Sequence, residues 1–383
     1  MEKPSLSVVL INLDISMRMK YIILSLFLNV NSLFASSFEE PSLDEKIGSL
    51  IWIGFPGTKP EEESVIQVRS LIDDKKISGI ILFRHNIESP SGLETLIRFL
   101  QAPGLIISID QEGGLVQRLR ASNGFKDFPS EKEVGQGSLE DAKTIYTDMA
   151  QMVHSNRVNC VLAPVVDVDQ DPICSVIGGL KRSFGEDPLI VSTYAKSFID
   201  AMDEHNILTS LKHFPGHGSA YGDTHEGIVD ITHTWNREKE LMPYRNLIGS
   251  CSAKTTIMTA HLVHKELDEV YPSTLSKNIL TGLLRGELGF RGGIVTDDLH
   301  MDAILKNYSF EKSTILALKA GATFLLYSNN PLAAKGYDEF QINTMLPNDV
   351  IHLVKNQILG GDTELASAVE EQWQISKMIR ESL

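Results

Sequence analysis

One short loop of this chain concentrates side chains suited to acid–base chemistry. It reads KHFPGHG at residues 212–218 and continues, after four residues, with Asp-Thr-His at 223–225, so three of the chain's 11 histidines fall in it. Its prolines and glycines predict a loop, and catalytic residues concentrate in loops held by a rigid scaffold. Asp223 and His225 are two residues apart, a spacing at which an extended loop lets the carboxylate hold the imidazole. Because imidazole titrates near neutral pH, such a pair could donate and accept a proton.

Two apolar segments, each predicted to be a strand, end in polar residues that could take part in catalysis. Residues 207–211 predict a buried strand that delivers Lys212 and His213 to the loop. Residues 292–296 predict a second strand, which ends abruptly in Asp297 and Asp298. A carboxylate at a strand end can serve catalysis, or it can simply cap the turn that follows.

At these segments the sequence resembles glycoside hydrolase family 3, and within it the bacterial β-N-acetylglucosaminidases of cell-wall recycling. In that family KHFPGHG is followed by four residues and Asp-Ser-His; the spacing here is identical, with Thr224 in place of the serine. The resemblance implies that His225 is the general acid/base and Asp223 its partner, replacing a glutamate that other branches supply from a second domain. It implies Asp297 as the nucleophile. A loop histidine with a purely structural role is the alternative for His225.

Two further segments are similar to sugar-binding motifs of the family. DQEGG at residues 110–114 matches a signature that the family completes with Arg118, and RSFGEDP at 182–188 matches its RSFG-x-DP loop. The resemblance implies that five residues bind substrate: Asp110, Arg118, Arg182, Lys212 and His213. In the second motif, Asp187 and Pro188 also suit the cap and first turn of a helix.

Strand-like and helical segments alternate along the chain. Eight apolar segments predict strands, at residues 50–55, 79–84, 105–110, 160–167, 207–214, 256–261, 292–297 and 323–328. Amphipathic stripes between them, such as Leu93, Leu96, Ile97 and Leu100, predict helices. This alternation predicts an α/β fold, a single-domain (β/α)8 TIM barrel, with its site at the carboxyl ends of the strands. We assign residues 42–383 to this catalytic barrel and expect the helical segments after Tyr327 to pack on it.

The amino terminus differs in composition from the rest. Arg18 and Lys20 precede an apolar run at residues 21–35, and Ala-Ser-Ser at 35–37 offers a small-x-small cleavage site. We therefore expect residues 1–37 to comprise a signal peptide with an upstream extension, no stable membrane span, and a periplasmic or secreted protein. The alternative is a cytoplasmic protein or an uncleaved anchor, and Met17 or Met19 is an alternative start.

Charge and cysteine content narrow the possible partners. The formal net charge is −15, from 35 basic and 50 acidic residues, which argues against nucleic acid and anionic membranes. Three scattered cysteines indicate neither a disulfide framework nor a zinc site. The loop histidines are metal-type ligands, but the resemblance assigns their loop to sugar and proton transfer. We expect a monomer with a carbohydrate substrate and with no metal or other cofactor.

The function that we expect is retaining hydrolysis by double displacement, with Asp297 attacking the anomeric carbon and His225 protonating the leaving oxygen. The resemblance implies a terminal β-linked N-acetylglucosamine on cell-wall fragments. The alternatives are a phosphorylase, since a histidine base repels phosphate less than a carboxylate does, a β-glucosidase, or a non-catalytic sugar-binding barrel.

Overall fold

Eight parallel strands form the central sheet of the computed structural model, which describes residues 40–170, 174–223, 227–333 and 341–383. We number them β1 Ile51–Ile53, β2 Gly79–Ile81, β3 Ile106–Ile109, β4 Cys160–Val161, β5 Leu208–Phe214, β6 Thr255–Thr259, β7 Ile294–Val295 and β8 Leu325–Tyr327. Strands β1 to β7 pair in chain order, and β8 pairs in parallel with β1. A bridge between Val295 and Phe324 links β7 to the start of β8 and closes the barrel. The predicted (β/α)8 fold and its eight strands are confirmed.

Helices surround this barrel. They are α1 Leu43–Gly48, α2 Glu63–Asp73, α3 Pro90–Leu100, α4 Glu131–Gly135, α5 Leu139–Ser155, α6 Pro188–Glu204, α7 Arg237–Ile248, α8 Asp302–Leu305, α9 Phe310–Ala320, α10 Leu346–Leu359 and α11 Thr363–Glu381. Short 3₁₀ turns lie at Arg84–Asn86, Ala121–Asn123 and Ser273–Leu275, and a π-helix at Asn278–Glu287. Two small sheets pair Gln111–Gly113 with Val116–Gln117 and Val229–Asp230 with Leu262–Val263. Of the helices that the structure describes, none is long and apolar enough to cross a membrane.

The helix starts follow from local sequence. Asp187 accepts a hydrogen bond from the Leu189 backbone N–H (2.8 Å) and Pro188 occupies the first turn of α6, as predicted. In α3, Ser89 accepts one from Gly92 N–H (3.1 Å), and the predicted apolar stripe is fully buried. A second apolar stripe that predicts a helix, Ile279, Leu280, Leu283 and Leu284, is also buried. It forms the π-helix, in which Leu288 N–H donates to the Leu283 carbonyl five residues back.

Apolar side chains fill the barrel interior. They are Trp52, Ile81, Ile106, Cys160, Leu162, Leu208, Met258, Val295, Phe324 and Leu326. Ile379 of α11 joins this cluster, and a Cβ on Gly293, just before β7, would lie 2.6 Å from its Cδ1. Helix α11 therefore closes the barrel at the amino-terminal ends of the strands, so the tail packs on the barrel as predicted. Residues 43–383 form one compact unit, and the predicted signal peptide lies outside the described residues.

We predict that Ile379→Ala destabilises the barrel by about 2–5 kcal/mol, because it leaves a cavity in a cluster that cannot readily collapse. The measurement is the urea unfolding midpoint with an unchanged m-value. Met378→Ala is the matched control, since this neighbouring residue is 48% exposed and should change stability little. Equal losses in the two variants would contradict closure by Ile379.

Candidate active site

A cavity of about 520 Å³ opens at the carboxyl ends of the strands, within the range of small-molecule sites. Its ionisable lining includes Asp110, Arg118, Arg182, Lys212, His213, His217, Asp297 and Asp298. All five side chains predicted to bind substrate and the predicted nucleophile thus face one space. They come from β5 and from segments that follow β3, β4 and β7, which a closed barrel brings together.

Asp110, directly after β3, lies between two cations. Its Oδ1 accepts a hydrogen bond from Lys212 Nζ (2.9 Å) and its Oδ2 accepts one from Arg118 Nη2 (2.5 Å). Burial alone would raise the pKa of Asp110, but the charges of Lys212 and Arg118 outweigh burial and hold that pKa well below its usual range. Asp110 is therefore ionised and fixed in position, as a hydrogen-bond acceptor for sugar hydroxyls must be.

Glu112 also pairs with Lys212, and it pairs with a third cation, Arg182. This carboxylate is 1% exposed and accepts hydrogen bonds from Lys212 Nζ (2.6 Å), Arg182 Nε (2.7 Å) and Arg182 Nη2 (2.9 Å). Burial acts to raise the pKa of Glu112, while Arg182 and Lys212 lower it further than burial raises it. Arg182 is thus held by a bidentate ion pair with Glu112, and Lys212 is held by ion pairs with both Glu112 and Asp110. Both side chains remain charged and line the cavity.

His213 is held as a neutral hydrogen-bonding group. Its Nδ1 lies 2.7 Å from Asp167 Oδ2, its backbone N–H donates to Asp167 Oδ1 (3.0 Å), and its Nε2 lies 3.3 Å from Arg182 Nη2. Burial, followed by the charges of Arg182 and Lys212, lowers the pKa of His213 well below its usual value. His213 therefore suits sugar binding better than proton donation near pH 7.

Asp167 is a site-supporting residue that the sequence analysis did not single out. It is fully buried, and its Oδ1 also accepts a hydrogen bond from His217 N–H (2.8 Å), so it fixes the start of the histidine-rich loop. The available signal was its position at the end of the predicted fourth strand segment.

Asp297, the predicted nucleophile, lies two residues beyond the end of β7. Its backbone N–H donates to Thr259 Oγ1 (3.1 Å) and its Oδ1 accepts from Asp298 N–H (2.8 Å). The neighbouring Asp298 has a structural role, because its Oδ1 accepts hydrogen bonds from the backbone N–H groups of His300 (3.0 Å) and Ser328 (2.9 Å). Asp297 is the less buried of the two acids and can approach a ligand.

The proposed proton-transfer pair is only half inside the described part of the chain. Asp223 is a partly exposed residue on the loop after β5, whereas His225 lies outside the described residues. Among residues that the structure describes, no group of three His, Cys, Asp or Glu side chains is arranged to hold a metal ion.

Comparison with known proteins identifies the family to which this chain belongs. The family model for the glycosyl hydrolase family 3 N terminal domain matches residues 42–362. The chain belongs to glycoside hydrolase family 3. The expected family is thereby confirmed, and with it the class of enzyme, a glycoside hydrolase.

Relatives in this family carry consistent names. A β-hexosaminidase of Nitrosomonas eutropha is 36% identical over 270 residues, which cover 67% of this chain and 75% of that protein. A β-hexosaminidase of Idiomarina loihiensis is 34% identical over 282 residues, 71% of this chain and 82% of that protein. The structure of a family 3 β-N-acetylglucosaminidase from a Paenibacillus species aligns with a TM-score of 0.76 at 29% identity, over 89% of this chain and 63% of that one.

A buried acid underlies the histidine-rich loop of this family 3 chain. Glu240 of α7 is fully buried, and its Oε1 accepts a hydrogen bond from Gln170 Nε2 (2.7 Å). It packs against Gly216, where an added Cβ would lie 2.4 Å from Glu240 Oε2. Burial and the charge of Asp167 raise the pKa of Glu240 to about 8.

We predict that Glu240→Gln changes how stability depends on pH. Between about pH 4.5 and 8 the folded wild type keeps a proton that the unfolded chain has lost, so wild-type stability falls as pH rises, by at most about 1.4 kcal/mol per pH unit. The glutamine variant lacks this loss, so its stability relative to wild type should increase from pH 5 to pH 8.

Urea midpoints at pH 5, 6.5 and 8 measure this difference. Glu238→Gln, an exposed acid of the same helix, is the control and should follow wild type. Parallel pH curves for wild type and Glu240→Gln would show that Glu240 is ionised throughout.

Proposed function

We propose that this chain is a retaining β-N-acetylhexosaminidase that releases terminal β-linked N-acetylglucosamine from peptidoglycan fragments. One observation carries the proposal: Asp297 shares a cavity with five polar side chains suited to sugar hydroxyls, among which Asp110, Arg182 and Lys212 are fixed by ion pairs. The relatives named β-hexosaminidase support the N-acetylhexosaminide as the sugar released.

The proposed reaction has two displacement steps. In the first, an Asp297 oxygen bonds to the anomeric carbon, the glycosidic C–O bond breaks, and His225 gives its proton to the leaving oxygen. In the second, His225 takes a proton from water, the water oxygen bonds to the anomeric carbon, and the bond to Asp297 breaks. Asp223 orients the imidazole and stabilises its charged form. Both residues regain their starting states.

His225 is assigned as the acid by motif spacing. The burial of His213 and the charges around it support this choice, because they make His213 unsuited to that role. Burial, and after it the charges of Arg182 and Lys212, lowers the pKa of His213 well below its usual value, so His213 is a poor proton donor. The proton must come from another group near the cavity, and the loop that bears Asp223 follows the strand that carries Lys212 and His213.

We further propose that residues 42–383 are the catalytic domain of a monomer and that residues 1–37 are removed in a periplasmic or secreted protein. The basic residues and apolar run at the amino terminus support this. Intact mass of the protein from its native host checks it: a mature chain starting near residues 36–38 is expected, and retention of Met19 would contradict it.

We predict release of nitrophenol from the β-N-acetylglucosaminide and much slower release from the β-glucoside, because the relatives act on hexosaminides. Rates should not depend on phosphate. A phosphorylase is the second candidate, favoured by a histidine in place of a carboxylate acid/base. A rate that requires phosphate, with sugar phosphate as product, would select it, and preference for the glucoside would contradict both hexosaminide activities.

We also predict contrasting effects of two substitutions across aryl N-acetylglucosaminides whose leaving groups differ in pKa. Asp297→Ala should lose several orders of magnitude for all of them, because the covalent route is gone. His225→Ala should reduce kcat/KM most for poor leaving groups, since good ones depart without a proton. Asp223→Ala should show the same trend more weakly.

Asp298→Ala is the matched control for Asp297→Ala and should lose less activity. Azide should partly restore turnover of activated substrates by His225→Ala, because it attacks the glycosyl-enzyme without a general base. Equal losses for every leaving group would remove His225 from the acid role.

A further inference from the structure

A buried set of polar side chains contacts the backbone of the proposed nucleophile but takes no part in the reaction described above. It consists of Thr259, the last residue of β6, His261, and Thr274 of the 3₁₀ turn Ser273–Leu275. All three are fully buried, and none of them lines the cavity. We call them the Thr-Thr-His network. Because buried polar groups must find their hydrogen-bond partners inside the protein, their contacts indicate what they hold in place.

The Thr-Thr-His network starts and ends at the backbone around Asp297. At one end, Thr259 Oγ1 accepts a hydrogen bond from Asp297 N–H (3.1 Å). At the other end, His261 Nε2 lies 2.9 Å from the carbonyl oxygen of Asp298. Between them, Thr274 Oγ1 lies 2.8 Å from both Thr259 Oγ1 and His261 Nδ1. The pair of residues that carries the nucleophile is thus held at its first N–H and at its last carbonyl.

The partners of His261 determine where its proton lies. A carbonyl oxygen can only accept a hydrogen bond, so Nε2 carries the proton in the contact with Asp298. A second proton on Nδ1 would bury a positive charge between a hydroxyl and a carbonyl, which is costly. Nδ1 therefore accepts a hydrogen bond, and the Thr274 hydroxyl donates it in preference to the Ala260 carbonyl at 3.0 Å. Since Thr274 has one hydroxyl proton, Thr259 donates to Thr274 Oγ1.

We propose that His261 and Thr274 are positioning residues that hold Asp297 in place for its attack on the anomeric carbon. This inference rests on the proposed function, in which Asp297 is the nucleophile, and it deepens that function. The hydrogen bonds of the network run in one direction and polarise one another, so the loss of one hydroxyl weakens the rest. The Asp297 carboxylate is tied to the same backbone, because its Oδ1 accepts from Asp298 N–H (2.8 Å). A shift of this backbone therefore moves the attacking oxygen.

The test measures the attack by Asp297 separately from proton transfer. The probe is a ring-fluorinated N-acetyl-β-glucosaminyl fluoride. An Asp297 oxygen bonds to its anomeric carbon while the C–F bond breaks, and fluoride leaves as an anion that needs no proton from His225. Intact mass then shows one added sugar on each competent chain. The first-order rate constant at saturating probe reports the attack in the chains that become labelled, whatever fraction of the sample is folded.

Variants that break the Thr-Thr-His network should slow this labelling. Thr274→Val keeps the shape but removes the hydroxyl, and we expect a loss of about tenfold, compared with the roughly hundredfold loss that a displacement of about 1 Å can cause. The probe concentration at half-maximal rate should change by less than about twofold, because the sugar-binding residues are unaltered. Thr274→Ser keeps the hydroxyl and should label at nearly the wild-type rate.

Thr259→Val breaks the network at its contact with Asp297, so the test does not depend on the folding of one variant. It should slow labelling to a similar extent. Thr256→Val is the matched control, since this fully buried threonine of the same strand donates its hydroxyl to the Thr209 carbonyl (3.0 Å). The control should lose stability in urea without slowing the labelling.

Nitrogen NMR of protein with labelled histidines tests the proton positions. The ring signals of His261 are assigned by their absence in His261→Gln. In the wild type they should be those of a neutral ring that is protonated at Nε2 and accepts a hydrogen bond at Nδ1.

Wild-type labelling rates in both Thr274→Val and Thr259→Val would overturn the inference. Equal slowing by Thr256→Val would also overturn it, because the loss would then follow from weaker packing in general. A His261 ring protonated at Nδ1 would contradict the direction of the hydrogen bonds and overturn it as well. Failure of the wild type to become labelled at Asp297 would overturn both the inference and the proposed function.

Discussion

The site depends on one buried ion pair set, in which Lys212 lies between the carboxylates of Asp110 and Glu112. A lysine that is 2% exposed would lose its charge in an apolar barrel, and so would a carboxylate that is 1% exposed. Together they remain charged: Asp110 and Glu112 raise the pKa of Lys212 against the effect of burial. Arg182 and Arg118 extend the set at its two ends. The barrel can therefore present fully charged hydrogen-bonding groups at the bottom of a partly apolar cavity.

The same set determines what each neighbour can do. Burial, and after it the charges of Arg182 and Lys212, lowers the pKa of His213, so His213 stays neutral, and Asp167 orients its ring. Glu240 is buried near Asp167 and forms no ion pair with any residue that the structure describes, and burial and the charge of Asp167 raise its pKa. The carboxyl ends of β3, β5 and β7 thus hold groups of distinct charge state within one cavity, although all are drawn from the same few residue types.

Much of this architecture could be predicted from sequence because the signals were local. Each barrel strand is a short apolar run, and the cap of α6 lies in two adjacent residues, Asp187 and Pro188. That the five residues predicted to bind sugar line one cavity could be anticipated, because each directly follows, or belongs to, a motif with fixed spacing. The support for that set could not: Asp167 contacts His213 across 46 residues, and Glu240 contacts Gln170 across 70. Those contacts arise only when the barrel closes.

The charged floor also limits how this enzyme can diversify. Asp110 and Lys212 are 102 residues apart in the chain but are joined by a hydrogen bond, and Lys212 also pairs with Glu112. Exchange of any one of these residues removes an ion-pair partner from two charged neighbours, so substitutions at positions far apart in the gene should be coupled. A change in the sugar bound at the bottom of the cavity would need simultaneous substitutions, whereas residues at the cavity opening can be substituted one at a time. Related enzymes should therefore diverge first in the group from which they release the sugar, and only later in the sugar that they release.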